Sequence, residues 1–94
     1  MKMHNPPHPG ELLREGVLKP MNMKVADLAR RLGMSRVSLS RVVNGHAAIS
    51  SDLAVRLERA GLSTARVWMG LQADYDLWQA ENREQPHIER IEAA

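Results

Sequence analysis

Arg36, Val37, Ser40, Arg41 and Asn44 fall within nine residues and, at 100° per residue, share one side of a short helix. Arginine can grip guanine O6 and N7 in a bidentate pair, and serine can donate or accept. Valine can meet a thymine methyl, and asparagine can pair with adenine or hold a phosphate. That is a chemistry for reading the major groove of double-stranded DNA. On the opposite side, Leu39, Val42 and Val43 form an apolar wall about 100° wide that folding requires for a core. Folding asks nothing comparable of the polar arc. On spacing alone, an ordinary solvated helix face explains those residues equally well.

Other constellations do not assemble into sites. His4 and His8 have the i, i+4 spacing of a metal pair, but Pro6, Pro7 and Pro9 deny them the helix that would give this spacing a geometry. Asp74 and Asp76, two apart on a helix, point to different faces. No serine lies in a G-x-S-x-G elbow, and there is no cysteine to act as a nucleophile, zinc ligand or disulfide partner. No catalytic residue, metal or cofactor is therefore expected.

The elements that would position the arc are helical. One Thr, three Ile and no Phe leave little to build strands from. Pro9 suits the start of a helix running from Gly10 to about Leu18, stopped ahead of Pro20, with Leu12, Leu13 and Val17 inward. A second helix, about Lys24 to Leu32, places Val25, Leu28, Ala29 and Leu32 at i, i+3, i+4, i+7, with Gly33 at its C-terminal position. Ser35 caps a third, which ends at Asn44 before Gly45. Two short helices thus meet across a tight glycine turn, the unit that inserts a helix into a groove about 12 Å wide. Ser50 or Ser51 caps a fourth, to about Ala60, burying Leu53, Ala54 and Leu57. Ser63 is expected to cap the fifth, about Thr64 to Glu81. The reading is an all-α, five-helix domain over residues 9–81, with a flexible N-terminal segment (1–8) and a mobile tail (82–94).

Composition bounds the rest. With 94 residues, 44% hydrophobic and 26% charged, the chain suits one folded domain and excludes a multidomain enzyme. No stretch approaches the ~18 apolar residues of a membrane span, and the expected location is cytoplasmic. Net charge is +2. It is unevenly spread: eight Lys and Arg against three Asp and Glu precede Gly45, five against eight follow it. A basic first half suits a polyanion, and an acidic second half suits a basic protein or a self-contact.

Both tryptophans and the sole tyrosine lie between positions 68 and 78. Trp68, Leu71, Tyr75 and Trp78 run i, i+3, i+7, i+10, a seam of a/d type. Three surfaces compete for it: the domain's own core, a two-fold homodimer contact, and a protein partner.

Arg31-Leu32-Gly33-Met34-Ser35-Arg36, followed by Leu39-Ser40-Arg41-Val42-Val43-Asn44-Gly45 and preceded by Ala29, resembles the phage-repressor (Cro/C1) helix-turn-helix. Ile49-Ser50, Leu53 to Glu58, Trp68 and Leu71-Gln72-Ala73-Asp74-Tyr75-Asp76-Leu77-Trp78 are similar to the HigA (VapI-like) antitoxins. The likeness spans about Pro9 to Ala80. It implies a homodimer that binds operator DNA, represses its own operon and neutralises a cognate toxin, generally a RelE-like mRNA endonuclease. Carried over by position, Arg36, Val37, Ser40 and Arg41 match base-facing sites and Asn44 a phosphate site. With Lys24 and Ser35 they make the candidate DNA-contacting set. Phage repressors commonly carry glutamine near the start of the second helix; here Val25 stands there, with Lys24 beside it. A stand-alone repressor without a toxin shares all these residues, and so does an interaction module that has lost DNA binding.

Overall fold

The computed structural model describes residues 5–92, which are helical or irregular with no strand among them. Helix α1 (Pro9–Leu13) runs directly into a π-helical turn, Arg14–Leu18. The expected helix to Leu18 is therefore present, but its second half is wider than an α-helix. The Lys19 amide donates to the Arg14 carbonyl at 3.0 Å, five residues back. In a regular helix, residues five apart point about 140° away from each other. The widened turn brings Leu13 and Leu18 into one core, where both are buried.

Helices α2 (Val25–Leu32) and α3 (Arg36–Val43) form the helix-turn-helix. Gly33 takes the left-handed conformation at φ 67°, and the Met34 amide donates to the Ala29 carbonyl at 3.0 Å, closing α2 with a reversed turn. Ser35 caps α3, its Oγ accepting from the Ser38 amide at 3.0 Å. Ser50 caps α4 (Ser51–Arg59) in the same way, through the Leu53 amide at 3.1 Å.

The cap of α5 (Ala65–Glu81) is Thr64 and not Ser63. Thr64 has extended backbone, with its Oγ1 accepting from the Val67 amide at 3.1 Å, whereas Ser63 sits at φ 65° and continues the turn begun at Gly61. A left-handed residue cannot aim its hydroxyl at the first turn while its chain is still reversing.

The core takes Leu13 and Leu18 from the first helix, Leu28, Ala29 and Leu32 from α2, and Leu39, Val42 and Val43 from α3. Ile49, then Leu53, Ala54 and Leu57 of α4, and Trp68 of α5 complete it. Leu12, Val17 and Val25 pack on it half-buried. The apolar wall read on α3 is thus the wall that is buried. At α1 the packing is backbone-close: a Cβ on Gly10 would lie 1.7 Å from the Val42 carbonyl oxygen. Only glycine permits that approach.

Candidate nucleic-acid interface

With Leu39, Val42 and Val43 held inward, the other side of α3 faces outward. Arg36, Val37, Ser38, Arg41 and Asn44 are exposed, Val37 at 63%, and Ser40 is half-buried. At that exposure Val37 contributes little to the core. Arg36 has no hydrogen-bond or ion-pair partner among the described residues. The rest of the arc is internally braced: Asn44 Nδ2 donates to Ser40 Oγ at 3.2 Å, and Arg41 Nη2 to the His46 carbonyl at 3.2 Å. Ser35 is exposed and, besides its cap, donates to Ser38 Oγ at 2.8 Å.

Lys24 is the exposed N-cap residue of α2, without a side-chain cap bond. Arg30 and Arg31 are exposed in the last turn of the same helix. Among the described residues, ion pairs form only around Glu15, with Lys19 at 2.9 Å and Arg14 at 4.0 Å. The Lys19 ammonium holds the Glu15 carboxyl below the usual carboxylate range, chiefly through their hydrogen bond. Lys24, Arg30, Arg31, Arg36 and Arg41 have no carboxylate partner among the described residues, which leaves their charge available to an outside anion.

Three residues not singled out as site candidates hold this face in place. Arg56 of α4 donates from Nη1 to the carbonyls of Leu32 and Gly33, at 3.1 and 2.8 Å, satisfying the end of α2 at the turn into α3. Gln72 of α5 is buried, with Oε1 accepting from the Ile49 amide at 2.8 Å and Nε2 donating to Asp76 at 2.9 Å. His8 caps α1: its Nδ1 accepts from the Gly10 amide at 2.9 Å. His4 lies outside the described residues. Among those described, no group of three or more His, Cys, Asp or Glu is arranged to hold a metal.

The aromatic seam divides. Trp68 is buried, its indole N–H donating to the Leu62 carbonyl, so it belongs to the domain's own core. Leu71, Tyr75 and Trp78 are half-buried. Tyr75 packs edge to face on His8, ring centroids 4.8 Å apart.

A helix-turn-helix family model matches residues 15–61, from the π-helical turn through α4. Virulence-associated protein A of Dichelobacter nodosus is 41% identical, over 92% of this chain and 81% of that protein. Antitoxin HigA-1 of Vibrio cholerae is 33% identical over 81% of this chain and 71% of its own length. HigA of Pseudomonas aeruginosa, solved with the higBA promoter, superposes with a TM-score of 0.77 at 40% identity, covering 80% of this chain and 82% of that one. The chain belongs to the HigA family of helix-turn-helix proteins. In this HigA-type fold, α3 is the second helix of the motif, the position from which such helices enter a major groove. No helix among the described residues is long and apolar enough to cross a membrane.

Proposed function

We propose that this HigA-type protein is a homodimeric repressor and antitoxin. It binds operator DNA at its own promoter through α3 and neutralises a toxin encoded beside it, an mRNA endonuclease of the RelE-like class. The observation that carries the DNA reading is the outward arc of α3: Arg36 unpaired, Val37 exposed, and Ser40, Arg41 and Asn44 braced at fixed positions on one side. Arg36, Val37, Ser40 and Arg41 meet base edges, while Lys24, Ser35 and Asn44 hold phosphates and set the register. A single α3 spans few base pairs. Two copies present two such helices about 34 Å apart, one helical turn of DNA.

The toxin reading rests on family membership and on charge. Residues after Gly45 hold five Lys and Arg against eight Asp and Glu, which complements a basic nuclease. Leu71, Tyr75 and Trp78 are the candidates for contact with the toxin or a second copy.

A promoter-reporter strain tests both arms. Expression of the chain alone should silence a reporter driven by its own promoter. Co-expression with the neighbouring small reading frame, tagged on that neighbour, should restore growth and co-purify the pair. A neighbour that is harmless or never binds would leave a stand-alone repressor. A reporter that does not respond would remove the DNA-binding arm.

A further inference from the structure

His8 stands where three elements meet. It caps α1 through the Gly10 amide at 2.9 Å, and Tyr75 of α5 packs on its ring at 4.8 Å between centroids, 72° from coplanar. On its third side is the loop after α3: a Cβ on Gly45 would lie 3.9 Å from His8 Cγ, and the backbone at Ala47 is close enough to act on the ring's affinity for a proton. The turn that His8 caps is the turn whose Gly10 lies against the Val42 carbonyl in the last turn of α3. Arg41, on the outward arc, holds the next carbonyl of the same loop, that of His46. The ring therefore braces the C-terminal end of α3 from behind.

An Nδ1 that accepts from an amide carries no proton, so this junction requires a neutral imidazole. We infer that His8 is a positioning residue for the DNA-binding face: its neutral ring holds α1, α5 and the loop after α3 in register, and its protonation loosens α3 and weakens operator binding. The inference rests on the DNA reading proposed above. Protonation turns Nδ1 into a donor facing the Gly10 amide, and the cap is lost.

The charged and titratable groups around the ring are Glu11 from α1, and Asp76 and Tyr75 from α5. Burial pushes the imidazole below its ordinary 6.5, and outweighs Asp76, the nearby Ala47 backbone and Glu11, which favour the charged ring. The fold thus binds the proton less well than the unfolded chain does. The stabilisation is complete above 6.5 and is lost as pH falls below it through the folded value.

The test compares wild type with His8→Asn and His8→Ser, two uncharged residues that retain a capping oxygen. Each is titrated with a DNA fragment spanning the promoter of its own gene, at pH 7.5, 6.5 and 5.5 and constant ionic strength. The readout is the difference between wild type and variants, which share every other ionisable group. At pH 7.5 both variants should bind more weakly than wild type, because they keep the cap and lose the ring's packing on Tyr75 and the loop after α3; each protein is therefore compared with its own affinity at pH 7.5. Between pH 7.5 and 5.5 the wild type should lose more affinity than either variant. Thermal unfolding without DNA should likewise show the wild type losing more stability than the variants over that range. Equal pH slopes in wild type and variants would overturn the inference alone. Absence of promoter binding by the wild type at pH 7.5 would overturn the DNA reading beneath it.

Discussion

Gln72 accepts a hydrogen bond from the Ile49 amide at 2.8 Å, joining the middle of α5 to the residue just before the α4 cap. Among the described residues Gln72 is the one buried polar side chain, and both ends of its amide are satisfied. Replacing it with leucine keeps the volume and removes the acceptor. The Ile49 amide is then buried without a partner, which costs about 1–3 kcal/mol. Urea unfolding of Gln72→Leu should show that loss, with an unchanged m-value.

Gly10 supports a sharper prediction. A methyl group there would meet the Val42 carbonyl at 1.7 Å, and backbone cannot yield as a side-chain tip can. Gly10→Ala should destabilise by roughly 2–4 kcal/mol, in the range of severe overpacking, despite alanine's better helix propensity. A gain in melting temperature would contradict the close approach of α1 and α3.

Arg56 ties α4 to the helix-turn-helix through two carbonyls. It is exposed, so water replaces part of what its truncation removes. Arg56→Ala should cost about 1 kcal/mol in global stability. Amide exchange should accelerate at Gly33 and Met34 in particular.

Thr64 and Ser63 differ by one position and in sign. Thr64→Ala removes the α5 cap and should cost about 1 kcal/mol. Ser63→Gly relieves a left-handed residue and should leave stability unchanged or raise it by up to about 1 kcal/mol. Thermal unfolding of the two variants distinguishes them.

That pair also marks how far local chemistry carries. The helices around the turn were legible because their signals are local: Gly33 beyond α2, Ser35 before α3, Gly45 after it, Ser50 before α4. Periodicity placed the core wall and the outward arc on the correct sides of α3. At α5 the expected cap, Ser63, is one residue early: adjacent Thr64 carries the same hydroxyl chemistry, and the sign of the backbone angle separates them. The π-helical turn was not legible, since only the need to bury Leu13 together with Leu18 selects it.

The bracing residues were hidden for a different reason. Gln72 reads as a polar interruption beside an aromatic seam, and its partner is 23 residues away. Arg56 reads as an ordinary exposed arginine on α4, and its partners lie 23 and 24 residues back. His8 shares the spacing of a metal pair with His4, a reading that its flanking prolines exclude, and that left its role unassigned; a histidine directly before Pro9 at a helix start was the available sign of a cap. The seam itself could not be divided by spacing, because i, i+3, i+7 selects a face and not what covers it.

The most direct measurement is a titration of two DNA fragments, its own promoter and a base-scrambled version, with wild type, Arg36→Ala and Lys24→Ala over a range of salt. Wild type should prefer the promoter. Arg36→Ala should lose about 1–3 kcal/mol on the promoter and little on the scrambled fragment, as a base reader does. Lys24→Ala should weaken both alike and lower the salt slope by about one, as a phosphate contact does. Equal wild-type affinity for the two fragments, or an Arg36→Ala protein with undiminished preference for the promoter, would contradict sequence reading by α3.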